Sequence, residues 1–366
     1  MGAAIAAAVA VAYLGGVWEV AGLKLLDRHL RLRGPIPHRR DVVIVGIGEQ
    51  TFTDLNHPWP FPRAWHARAI ENIQAAKPRA VGLDILFVEP SIFGAQDDLA
   101  LATTLAKYDN VVLAGMYYAE EVVTRRVVVG GIKLPVSPLP LGSVGLVNTP
   151  HDADGFVRRI PVYMQFKETG RVEGFAGQIV KVATRHEGRA QPSSREMLIN
   201  FRGPTGSFET VPFHQVLRGE VGAGTFAGKI VLIGVTTPAL QDVAHTPFTP
   251  RALMPGVEVH ANAVNTLLQG DPLRPAGREL PLLLAALAAV AGTLLGARFP
   301  PPKSFLLVAG VGLAVLVGAQ VALVWFQVWL EQIPVQAALF GSYFAVLVSG
   351  TPLRPSSSPS SEGRGA

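Results

Sequence analysis

The sequence predicts an α/β extracytoplasmic domain with a mainly parallel central sheet, flanked by one N-terminal and three C-terminal transmembrane helices. Three observations predict it. Residues 80–89 read AVGLDILFVE, an apolar run broken only by Asp84 and bounded by Lys77-Pro78 and Pro90. A short run of this kind is a strand, and near-continuous apolarity is the habit of a strand covered on both faces. Between residues 41 and 117 such runs alternate with helical patterns, as in a parallel sheet with crossover helices. Finally, 49% of residues are hydrophobic and only 16% are charged, with a positive mean hydropathy, too apolar for an ordinary soluble domain.

The apolar excess falls in four stretches. Residues 2–23 carry only Glu19 as a charge, 281–297 carry none, 305–326 hold Gln320, and 333–350 hold Gln336 and Ser342. Each is close to the ~20 residues that cross a bilayer core as helix. The first lacks the basic start and the cleavage site of a signal peptide, so it reads as an uncleaved anchor. The hairpin at 298–303 has Arg298 and Lys303, the tail has Arg354 and Arg364, and the hairpin at 329–332 has only Glu331. The positive-inside rule then puts the N-terminus, the first hairpin and the tail inside, and the segment 28–279 outside the inner (plasma) membrane. Arg28, Arg31, Arg33, Arg39 and Arg40 run against that orientation, but the rule is counted over short loops. The net charge of +5 suits a membrane or envelope surface without demanding nucleic acid. The absence of cysteine excludes disulfides, thiolate catalysis and cysteine-bound metal.

In order, 29–40 is a basic connector and 41–48 (DVVIVGIG) the first strand. The segment PWPFPR (58–63) alternates prolines, which stiffen the chain and hold its aromatics in place. It offers Trp59, Phe61 and Arg63 as interaction candidates. Residues 64–76 form an amphipathic helix before the Asp84 strand. Asp97 and Asp98 open a helix over 99–107, where acids complement the dipole, and 111–117 is a strand. Short strands follow at 127–129, 144–148 and 158–163, with a turn at DADG (152–155). A helix at 173–186, a strand at 197–201, a short helix at 213–217 and the strand KIVLIGV (229–235) come next. Helix 256–268 and a linker at 270–275 lead to the membrane bundle, and 351–366 is a short disordered tail rich in Ser, Pro and Gly.

In open α/β sheets ligands sit beyond the carboxyl ends of the strands. Glu49, Asp84, Thr236, Thr237 and Asp242 fall there, and His260 and Asn262 can reach in from the next helix. Together they could hold a cation or a polar ligand, or serve only as caps and inter-loop hydrogen bonds. DADG lacks the later ligands of a calcium loop. Gly46-Ile-Gly48 lacks the third glycine of a dinucleotide fingerprint, and no Walker, Gly-x-Ser-x-Gly or His-Glu-x-x-His motif occurs. The reading is therefore no enzyme, no metal and no cofactor. Gly292 and Gly296 form a small-xxx-small pattern that suits either a homodimer contact or packing within the bundle.

VVIVGIG (42–48), PWPFPR (58–63), AVGLDILFVEP (80–90), DADGFVRRIP (152–161), INFRGP (199–204), FAGKIVLIGVTTPALQD (226–242) and TPFTPRALMPGVEVHANAVNTLL (246–268) occur in this order. As a set they resemble the CHASE domain of the second type, an extracellular sensory domain associated with bacterial cyclases and histidine kinases. Gly48 departs from the pattern, which usually has an acid there. Family members usually continue into a cytoplasmic output domain, whereas this sequence stops soon after the last span. The resemblance implies signal transduction: a membrane-anchored sensor of an extracytoplasmic ligand or protein, relaying through its bundle to a separate effector. The alternative is a scaffolding envelope protein whose outer domain docks another protein through Trp59 and Phe61.

Overall fold

A computed structural model describes residues 2–37, 40–123, 126–166, 170–185, 194–249 and 252–350, with backbone alone over 119–123 and 126–130. The tail at 351–366 and Arg39, used above for topology, lie outside the described residues. The chain forms two compact units. One spans Leu30–Leu273, and the other holds the chain up to His29 and from Arg274 onward.

In the first unit seven strands build the central sheet: β1 (Val42–Ile47), β2 (Ala80–Asp84), β3 (Val111–Val123), β4 (Arg126–Lys133), β5 (Val144–Leu146), β6 (Glu209–Pro212) and β7 (Ile230–Val235). Their order is β6-β1-β7-β2-β3-β4, with β5 also on β3. Every pairing is parallel except β3 with β4. The three central strands explain the apolar runs. All six residues of β1 and of β7 are buried, as are the first four of β2.

Alternate residues serve opposite faces, as the two-residue period of a strand requires. Val43, Val45, Val81, Leu83, Val231 and Ile233 pack beneath helices Arg63–Gln74, Ala95–Leu105 and Phe213–Arg218. Ile44, Ala80, Val112, Ile230 and Leu232 pack beneath helices Phe175–Ala183 and Gly256–Gln269. Gly82 permits the close approach on this second side: a Cβ there would lie 2.7 Å from Ile179 Cδ1 and 3.0 Å from Phe175 Cζ.

Several expected elements shift. Residues 49–55, to which the sequence reading assigns no element, form the helix Glu49–Leu55, with Glu49 in its first turn. The expected strand at 158–163 divides into Arg159–Pro161 and Tyr163–Phe166, which pair with different partners. Strand β6 is not expected, because ETVP is short, polar at its start and half exposed at the sheet edge. The DADG turn clasps Arg158. That guanidinium donates to Asp152 at 2.9 Å and to both Asp154 oxygens at 2.8 Å, and it lies over the Phe156 ring. The turn's carboxylates are thus matched by a protein cation.

The second unit contains helices Gly2–Leu14, Glu279–Arg298, Pro301–Phe326 and Ile333–Ser349, with the first part of Glu19–Arg33. Two of these, Glu279–Arg298 and Pro301–Phe326, are long and apolar enough to cross a membrane. Ile333–Ser349 is apolar but has 17 residues, about 25 Å of helix. The expected N-terminal span over 2–23 is not one straight helix: helices Gly2–Leu14 and Glu19–Arg33 meet at an 84° bend. The break follows Gly15-Gly16, where Gly16 takes a φ of 75° that favours glycine, and only the bent pair taken together reaches spanning length.

Several polar side chains in this unit bond one another, although Gln332 Oε1 is buried without a partner. The His29 ring bonds Gln320 Oε1 through Nδ1, and Gln332 Nε2 lies 2.7 Å from its Nε2. Gln336 donates to Gly312 O at 2.9 Å. Gly292 and Gly296 face helix Ile333–Ser349: a Cβ on Gly292 would lie 2.3 Å from Leu339 O, and one on Gly296 3.3 Å from Tyr343. The small-xxx-small pattern therefore packs within the chain.

Candidate functional site at the carboxyl edge of the sheet

Parallel register brings the carboxyl ends of β1, β7 and β2 level. Gly46 pairs with Gly234, and Gly234 with Asp84. The two glycines leave room at that edge. A Cβ on Gly46 would lie 2.9 Å from Thr236 Oγ1, and one on Gly234 would lie 2.7 Å from Val257 Cβ and 3.2 Å from Asp84 Cβ. The Asp84 side chain thus lies where β7 has no side chain of its own.

Three titratable groups gather here with graded exposure. Asp242 is exposed, Asp84 half-buried and His260 buried. Asp84 Oδ2 is enclosed without a hydrogen-bond partner, and burial pushes the carboxyl up to about 7. Asp242 lies against Gly256, whose Cβ would fall 2.3 Å from its Oδ1. Its carboxyl is pushed up to about 6, first by desolvation and then by the Asp84 charge. His260 Nε2 lies 3.2 Å from Val147 O, so it donates, and Nδ1 is left as a buried acceptor without a partner. Burial lowers this imidazole to about 4, against the pull of Asp242. At neutral pH the edge therefore holds a neutral histidine, a carboxyl near its midpoint and an exposed acid. Among the described residues no group of three His, Asp or Glu has the geometry to hold a metal ion.

The other expected site residues have different roles, Thr236 at the same edge and the rest away from the cluster. Glu49 is exposed in the first turn of its helix. Thr236 continues the ladder, its N–H donating to Ile47 O at 3.0 Å. Thr237 accepts from Ala239 N at 3.2 Å and caps a short 3₁₀ turn. Asn262 is wholly buried, accepts from Arg202 N at 2.8 Å and donates to Glu258 O at 2.9 Å. It holds the loop after residue 200 and offers nothing to a ligand.

The chain after Asp84 forms one wall of a second feature, a cleft of about 200 Å³ between residues 59–66 and 85–93. Phe61 is buried at 3% exposure, against Phe52, Trp65 and Phe213, while Trp59 stays half-buried beside it. Arg63 is buried too. Its guanidinium pairs with Asp98 and donates to Glu89 O, and it lies over the Phe87 ring. Its backbone N–H donates to Asp97 Oδ2 at 2.8 Å, so Asp97 caps the helix from another element. Of the three interaction candidates only Trp59 keeps surface. Sequence reasoning missed His66, Phe87 and Phe93, which also line the cleft. The available signal was the aromatic spacing on either side of two proline-bounded segments.

The chain thus joins an α/β unit, with unpartnered polar groups at its sheet edge, to apolar helices of which two are long enough to cross a membrane. A family model, the CHASE2 domain, matches residues 3–297. The chain belongs to the CHASE2 domain family, which is a family of sensory extracellular domains. No curated protein and no solved structure matches it.

Proposed function

We propose that this chain is a membrane-anchored extracytoplasmic sensor, placed in the inner membrane with the unit Leu30–Leu273 outside the cytoplasm. A ligand or protein binds at the carboxyl edge of the sheet. Binding favours one of two packings of the membrane helices, and a separate effector on the cytoplasmic side reads the difference. Such a shift needs different affinity for the two states. The reading assigns the chain no catalytic step.

The observation that carries it is the meeting of Asp84, Asp242 and His260 at one sheet edge, with Asp84 Oδ2 and His260 Nδ1 both buried and unpartnered. Unmade hydrogen bonds at buried groups cost roughly 1–3 kcal/mol each. A ligand that supplies a donor to His260 and to Asp84 recovers that cost, which makes the edge selective for polar ligands. Membership of an extracellular sensory family supports the same reading.

The test is purification of the full chain with its native lipid, followed by mass spectrometry of what accompanies it. Wild type is expected to carry a small molecule or protein that Asp84→Asn and Asp242→Asn lose while keeping their fold. Retention of the same companions by both variants would sink the site assignment. Orientation is tested separately, since the chain has no cysteine. A single cysteine at exposed Glu220 is expected to react from the outer side, and one at Lys303 only after permeabilisation; the reverse pattern would overturn the topology.

A further inference from the structure

The cleft between Trp59 and Phe93 has no part in the cluster at Asp84. It opens between the segment that precedes helix Arg63–Gln74 and the loop that follows β2. Its walls are rings: Trp59 half-buried, Phe87 buried and Phe93 43% exposed, with Ile92 74% exposed at the mouth. Its charge is already settled. Arg63 is matched by Asp98, and Glu89 stands exposed beside the opening. An anion would meet Glu89 and find the Arg63 guanidinium engaged.

One polar group in this lining has no partner. His66 is 1% exposed and its Nδ1 makes no hydrogen bond. Its ring stands edge-on to Phe87 at 5.5 Å and to Trp59 at 6.2 Å, and tilted to Phe213 at 5.3 Å. Burial holds the imidazole neutral, lowered to about 4, so Nδ1 accepts or donates according to tautomer. A cavity of about 150 Å³ with apolar walls takes one benzene, so a cleft of about 200 Å³ suits one ring and a substituent.

We propose that this cleft binds a small, neutral, planar aromatic molecule carrying a single hydroxyl, its ring between Trp59 and Phe93 and its hydroxyl on His66 Nδ1. Ring faces supply offset and edge contacts. A hydroxyl both donates and accepts, so it satisfies Nδ1 in either tautomer. A second copy of the chain seated on Ile92 and Phe93 is the competing occupant.

The probe is phenol, with toluene and benzoate as comparisons. Full-length protein in nanodiscs is labelled with 5-fluorotryptophan, and the Trp59 fluorine resonance is assigned with Trp59→Phe. This signal is local to the cleft and blind to partition into lipid. Phenol is expected to move it saturably, with a Kd of about 1 mM or below. Toluene, lacking the hydroxyl, should bind about five-fold more weakly, and benzoate should not bind. Phe93→Ala, at an exposed position, should weaken phenol about three- to ten-fold. His66→Phe should abolish the preference for phenol over toluene; if it fails to fold, His66→Leu serves. A Trp59 signal unmoved by 10 mM phenol overturns the proposal, as does equal binding of phenol and toluene. So does a fall in mass from dimer to monomer with Phe93→Ala while phenol is without effect, which assigns this face to a second copy. The readout needs no effector, so its failure leaves the sensor reading standing.

Discussion

Gly234 of β7 lies in register beside Asp84 of β2, and a Cβ on Gly234 would come within 3.2 Å of Asp84 Cβ and 2.7 Å of Val257 Cβ. The glycine is there because two neighbours already occupy its side-chain space. Gly234→Ala must displace Val257 or Asp84. Overpacking of this kind costs about 1–3 kcal/mol. The expected result is a lower thermal midpoint for the full chain and a changed midpoint for the Asp84 carboxyl, read by carboxylate infrared absorption. An unchanged thermal midpoint would show that the edge yields freely.

Asp84 also makes stability depend on pH. Its carboxyl is raised from 3.8 to about 7 in the folded chain, so folding favours its protonated form. Its contribution is complete below pH ~4 and is lost as pH climbs through about 7. With its partial exposure, roughly 2–4 kcal/mol is at stake. His260 and His66 act in the opposite sense, since both are lowered from 6.5 to about 4 and lose stability as pH falls through that value. The prediction is therefore a difference: Asp84→Asn gains stability over wild type as pH rises from 5 to 8, measured by thermal unfolding. A constant difference across that range would remove Asp84 as the cause.

The central strands were legible because burial on both faces writes itself as unbroken apolar runs, as in β1, β2 and β7. The carboxyl-edge argument located Asp84, Asp242 and His260, since parallel register follows from the alternation of strand and helix. Asn262 was not separable from His260 by sequence. Both lie on helix Gly256–Gln269, and only packing turns Asn262 toward Arg202 N. Strand β6 escaped because an edge strand needs no apolar run. The bend after Leu14 escaped because hydropathy sums over Gly15-Gly16 without registering backbone direction.

Arg63 and Asp98 form a third test. Both side chains are less than a tenth exposed, so removing one partner strands a buried charge, at a cost of about 3–5 kcal/mol. Arg63→Ala and Asp98→Ala should each lower the thermal midpoint markedly. The double change to Met and Leu should restore much of it, because a well-packed apolar pair removes both desolvation costs. Additive losses in the double variant would mean that Arg63 acts through Glu89 and Phe87 rather than through Asp98.

The glycines of the apolar helices separate packed from open faces. A Cβ on Gly292 would lie 2.3 Å from Leu339 O and 2.4 Å from Ser342 Oγ, whereas nothing lies within 4 Å of one on Gly310 or Gly318. Small residues let helices approach where burial of apolar surface gives little drive, since lipid is as apolar as leucine. Gly292→Leu must push helices Glu279–Arg298 and Ile333–Ser349 apart, breaking contacts around Ala289, Leu339 and Tyr343. Gly310→Leu and Gly318→Leu only add apolar surface to open faces. In mild detergent, Gly292→Leu is expected to lower the thermal midpoint and to expose the Ile333–Ser349 helix to protease, while the other two behave as wild type. If Gly310→Leu or Gly318→Leu instead changes the oligomeric mass, that open face is a contact between copies. The Gly292 result would still report packing within one chain.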